Sequence, residues 1–123
     1  MIKITNKDGA AVYEEATDVM MEAIEDLAGW KLSAAPFEEV GIDRILLSCE
    51  GDAAVNPLHS GGDVHWLGYL EEGPLELILG DAEGNQTSSR IIQPGEYMTF
   101  APDTYHGWVP QGVPAKLIFL KIN

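Results

Sequence analysis

From Trp30 onward, apolar and polar residues alternate over short stretches broken by glycine, proline, asparagine or aspartate. This is the pattern of strands with one face against a core. It predicts strands over Ile42 to Cys49, Asp63 to Leu70, Leu75 to Leu79, Arg90 to Ile92, Tyr97 to Phe100, His106 to Val109 and Ala115 to Ile122. Many short strands at regular spacing predict an all-β, antiparallel sandwich or barrel. Gly80-Asp81-Ala82-Glu83-Gly84-Asn85 reads as a surface hairpin loop, with no arrangement for holding phosphate. One segment has a different period. Val19, Met20, Ala23, Ile24 and Leu27 recur at helical spacing, Thr17 or Asp18 is a suitable cap and Gly29 a stop, which predicts one short N-terminal helix at about residues 17 to 28. Glu14, Glu15, Glu22, Glu25 and Asp26 would form its wet side, with Met20 and Met21 as packing residues.

The length of 123 residues suits a single domain, residues 1–123, with one hydrophobic core. Residues 1–40 form an N-terminal extension carrying the helix, and residues 42–120 the barrel. No tract of low complexity and no linker divides them. Seven basic against twenty acidic residues give a formal charge of −13, which repels phosphate backbones and anionic membranes, so neither nucleic acid nor membrane is an expected partner. The lone Cys49 excludes an internal disulfide framework and fits a reducing compartment. Met1-Ile2-Lys3-Ile4-Thr5 leads into Asn6, Lys7 and Asp8 rather than an apolar stretch, and no apolar run approaches the roughly 20 residues of a membrane helix. A cytoplasmic location is the expectation.

His59, His65 and His106 are the only histidines, each near a strand end and a glycine or proline. Imidazole nitrogen is a good donor to zinc, iron, nickel and copper, and three such ligands leave a coordination position open for chemistry. One shared metal site is therefore expected. Side chains two apart on a strand share a face, so Asp63, His65, Leu67 and Tyr69 are expected to point together, with Trp66 pointing the other way. Trp108, two residues after His106, is expected to line a cavity or a subunit contact, and Cys49 to be a buried, inert thiol.

Two stretches resemble the motifs of the cupins, small jelly-roll barrels that usually hold a metal. The second cupin motif runs Gly, five residues, Pro, one residue, Gly, two residues, His. Gly95-Glu96-Tyr97-Met98-Thr99-Phe100-Ala101-Pro102-Asp103-Thr104-Tyr105-His106 keeps the eleven-residue separation from first glycine to histidine. Pro102 falls one place late, and Asp103 replaces the second glycine, a mild departure because aspartate tolerates the turn conformations glycine is chosen for. The first motif runs Gly, five residues, His, one residue, His, three or four residues, Glu, six residues, Gly. Tyr69 to Leu77 resembles the strand, turn and strand that close it, with Gly73 as the last glycine. His59 then takes the first histidine position, Gly61 the second, and His65 the glutamate position. A rival register makes Asp63 and His65 the histidine pair but leaves too few residues before Gly73.

The resemblance implies a cupin jelly-roll barrel in which His59, His65 and His106 bind a divalent transition metal (Fe, Zn, Ni or Mn). Asp63 is a further candidate ligand, and Tyr69 a catalytic proton donor. It also implies a homodimer, and the apolar strand Ala115 to Ile122 reads as an edge in need of cover. Three functions follow: a metal-dependent, dioxygenase-like enzyme acting on a small polar molecule; a non-catalytic module that senses or binds a small ligand or metal; and a metal-free sugar isomerase or epimerase with His65 or His106 as base and Tyr69 as acid. A small-molecule ligand or substrate is the expected partner in each.

Overall fold

The structure, a computed structural model, describes residues 3–6, 8, 10–14, 22–27, 29–37 and 41–122. Twelve strands are found among them: β1 (Lys3–Thr5), β2 (Ala11–Glu14), β3 (Glu22–Leu27), β4 (Trp30–Phe37), β5 (Gly41–Cys49), β6 (Asn56–Ser60), β7 (His65–Glu72), β8 (Leu75–Gly80), β9 (Gln86–Ile92), β10 (Tyr97–Phe100), β11 (Tyr105–Pro110) and β12 (Ala115–Ile122). β1 and β2 form a hairpin. The others make a six-stranded sheet in the order β10-β7-β12-β5-β4-β3 and a four-stranded sheet in the order β6-β11-β8-β9, with antiparallel pairing throughout.

Alternation along the strands decides what faces the core. On β7, Trp66, Gly68 and Leu70 are buried while His65, Leu67, Tyr69 and Glu71 lie on the other face. On β12 the buried set is Ala115, Leu117 and Phe119, and on β10 it is Met98 and Phe100. The four-stranded sheet supplies Leu75, Leu77, Ile92 and Trp108 to the same cluster, so the two sheets enclose one core as a jelly-roll barrel. Trp30 on β4 joins this cluster, and its indole N–H donates to the Ala54 carbonyl at 2.6 Å. The β1–β2 hairpin reaches the barrel through Asp8, 3.5 Å from the Lys116 ammonium.

Three expectations need correction. Glu22–Leu27 is strand β3, hydrogen-bonded to β4, and not part of a helix; the remainder of the expected helix, residues 17–21 and 28, lies outside the described residues. β12 is no edge: it sits between β7 and β5 with both flanks hydrogen-bonded, and its Ala115, Leu117 and Phe119 are buried in the core while Leu120 and Ile122 are exposed. β6 was not expected as a strand. Pro57 breaks the pattern there, and it is tolerated because β6 lies at the edge of its sheet. The loop at residues 80–85 is the expected hairpin turn, with the Asp81 carboxylate accepting from the backbone N–H groups of Glu83 and Asn85. Those bonds, that from Asn85 first, hold the Asp81 carboxyl below its ordinary range.

Candidate ligand pocket

β6 and β11 pair with His59 directly opposite His106. Opposed residues of an antiparallel pair point to the same side, and the two imidazoles meet with centroids 4.5 Å apart and planes tilted by 56°. His106 is buried and stacked on Phe100 at 4.6 Å, while His59 is exposed. The pair therefore runs from solvent into the barrel.

Both rings are fixed in the same way. Nδ1 of His59 lies 2.8 Å from the Pro57 carbonyl and Nδ1 of His106 lies 3.0 Å from the Thr104 carbonyl. A carbonyl only accepts, so each Nδ1 must carry the proton, and each neutral ring keeps its lone pair on Nε2. Burial is the main reason that His106 resists protonation, with its pKa pushed down to about 4; the Thr104 carbonyl opposes this, and the nearby His59 adds to it.

The pair borders a cavity of about 290 Å³. The six-stranded sheet lines it with Leu32, Ile45, Leu47, Trp66, Phe100 and Phe119 and the four-stranded sheet with Trp108, and Ser60 and Gly61 complete the lining beside the histidines. None of these lining residues carries a formal charge. Trp108 thus lines the cavity as expected. Cys49 is buried away from it, and burial raises its thiol pKa, so it is an inert core residue.

The remaining candidates are elsewhere. His65 and Asp63 are exposed, and His65 begins β7 on the face opposite Trp66, outside the barrel. Tyr69 shares that outer face and packs on Tyr97 at 4.8 Å, Tyr97 itself being 69 % exposed. The structure brings together His59 and His106 and separates them from His65, Asp63 and Tyr69. The residue that faces the pocket from β7 is Trp66, which is also where a four-residue spacing after Gly61 falls. Its indole N–H donates to the Gly61 carbonyl at 3.1 Å, and a Cβ on Gly61 would stand 2.8 Å from that nitrogen. Glycine at 61 is thus a condition for the tryptophan to lie where it does.

These residues do not fit the three-ligand metal centre that the cupin resemblance implies. The second histidine position is a glycine without a donor, and its neighbourhood is filled by an indole whose nitrogen has no lone pair to give. Among the described residues no group of three His, Cys, Asp or Glu side chains is placed to hold an ion.

The turn before β11 keeps His106 in position. Asp103 sits in the left-handed region with φ of 57°, and its N–H donates to the Gly62 carbonyl at 2.9 Å, linking this turn to the loop that precedes β7. Replacing Asp103 by glycine is expected to leave stability unchanged or slightly higher, whereas Asp103→Val should cost about 1–2 kcal/mol in urea unfolding, because a β-branched residue is strained there.

No family model matches the chain, and no curated protein matches its sequence. Solved structures do match its fold. Drosophila melanogaster CENP-C bound to CAL1 superposes with a TM-score of 0.64 at 6% identity, over 85% of this chain and 82% of that one. The CENP-C cupin domain alone gives the same score over 85% and 76%. A variant of Bacillus subtilis oxalate decarboxylase gives 0.64 at 21% identity, covering 81% of this chain but 27% of the decarboxylase. Fe(II)-HppE with the alternative substrate (S)-1-HPP gives 0.60 at 16% identity, over 98% and 63%. The chain has the cupin fold. Its neighbours include enzymes, one of them containing iron, and a domain solved with a protein partner, so the fold leaves activity to be argued from the pocket. Among the described residues no helix is long and apolar enough to cross a membrane.

Proposed function

We propose that this cupin is a small-molecule binding module whose ligand enters the barrel beside His59 and His106. The observation that carries this reading is the cavity of about 290 Å³, with apolar and aromatic walls and two fixed imidazole nitrogens as its polar edge. That combination of a concave apolar surface with a few oriented polar groups is the general character of ligand pockets. Oxalate decarboxylase acts on a dianion, but the lining residues here include no lysine or arginine to receive one. The dioxygenase-like reading lacks its third protein ligand, and the isomerase reading lacks its acid, because Tyr69 stands outside the barrel. Binding requires neither.

Trp66 and Trp108 line the cavity and make occupancy visible. Titration with small neutral ring compounds such as indole or cyclohexanol should change tryptophan emission and raise the melting temperature. Saturation near 100 times Kd corresponds to about 2.7 kcal/mol of added stability. Ile45→Trp, which fills the cavity, should abolish both responses. Equal responses in the variant, or near-stoichiometric metal in protein purified without a histidine tag and lost in His59→Ala, would overturn the reading.

A further inference from the structure

We infer that the pocket selects an organic amine: a primary ammonium group on a small apolar body, received between His59 and His106. This rests on the proposed binding function and adds the chemistry of the ligand. The two Nδ1 protons are committed to backbone carbonyls, so each ring has an acceptor and no donor left for a ligand, and the Ser60 hydroxyl beside them accepts from the Gly62 N–H. With the centroids 4.5 Å apart, a single bound group can address both. An ammonium has three N–H donors and satisfies two acceptors at once. An alcohol has one donor and leaves the second lone pair facing an oxygen. A carboxylate has none and places its charge against both.

Two further features favour the same ligand. Phe100 and Trp66 line the space beside the histidines, and aromatic rings attract ammonium groups placed over a free face. The chain's charge of −13 makes the approach to any mouth on its surface favourable to cations and unfavourable to anions, while no lysine or arginine among the lining residues competes for the position. His59 is exposed, so the ammonium keeps part of its hydration at the mouth while its apolar body enters the barrel.

The test is a matched series on the full chain at pH 7.5: 2-phenylethylamine, 2-phenylethanol and phenylacetate, followed by tryptophan emission and calorimetry. The amine is expected to bind more tightly than the carboxylate by about tenfold or more, since an unpaired buried polar group costs on the order of that factor, and more tightly than the alcohol. His59→Leu, a change at an exposed side chain that removes one acceptor and adds no aromatic face, should abolish the amine's advantage over the alcohol. Equal affinities in the unaltered protein, or a preference for phenylacetate, would overturn the amine inference and leave the binding pocket intact. An advantage of the amine over the alcohol that survives in His59→Leu would overturn it too. If none of the three binds while indole or cyclohexanol does, the ligand chemistry is wrong; if those fail as well, the binding function falls with it.

Discussion

Replacing Trp108 by alanine is expected to lower the free energy of unfolding by about 3–5 kcal/mol, read as a reduced midpoint in urea with an unchanged slope. The indole is 0 % exposed and meets rings on both sheets: Phe100 edge-on at 6.4 Å, Phe119 at 6.1 Å and His106 at 5.8 Å. It is the bolt through which β11 meets β10 and β12, so truncation opens a void that neither sheet can close without moving the other. Trp108→Phe provides the contrast. The indole N–H is buried without a partner, and phenylalanine removes that cost while leaving most of the ring contact. Its penalty should stay below about 1.5 kcal/mol, the range of tolerated hydrophobic swaps. If the two variants lose similar amounts, the N–H has a partner in solution and the packing account of this position is wrong.

How far the sequence revealed this arrangement depends on which period each segment obeys. β10 and β12 alternate in burial, and as short, largely apolar runs bounded by turn residues they were legible to the residue, Tyr97–Phe100 and Ala115–Ile122. The second motif was equally legible, and the positive φ at Asp103 explains why aspartate stands where the cupin pattern has glycine. The segment Glu22–Leu27 carries apolar residues at helical spacing, but its backbone is committed to β4 by sheet pairing, and tertiary pairing outweighs a weak local preference. β6 was hidden because a proline and polar residues leave an edge strand little pattern to read.

The histidines show the sharper limit. His59 and His106 lie 47 positions apart and face each other only because β6 and β11 are neighbours, which the motif resemblance anticipated and periodicity did not. His65 failed by one residue. In a strand, neighbours point to opposite faces, so a motif that permits three or four intervening residues leaves open whether His65 or Trp66 enters the barrel. The core decides: an indole buries more apolar surface than an imidazole, and Trp66 goes in. The expectation that Trp66 and His65 point apart was correct, and burial energetics alone would have chosen between them.

Acidification is expected to destabilise the fold through His106. Its folded pKa is pushed down to about 4, chiefly by burial, whereas an unfolded histidine titrates near 6.5. Above pH 6.5 both states are neutral at this residue and its contribution to the pH dependence is nil. Between pH 6.5 and about 4 the unfolded chain binds a proton that the folded chain refuses, so stability falls as pH falls, by up to about 3 kcal/mol across the window. Below it both states are protonated and the loss stops growing. The direction is opposite to what relief of self-repulsion predicts. A chain of charge −13 loses negative charge over part of this range, which favours the compact state. The two effects are separated by His106→Gln, which keeps a polar side chain but no titration. Urea midpoints measured from pH 7 to 4 should decline in the unaltered protein and decline less, or rise, in the variant. Parallel curves would mean that the imidazole is protonated inside the barrel, with a counter-charge or water beside it, and that His106 is not the dry, fixed acceptor on which the pocket's selectivity is built.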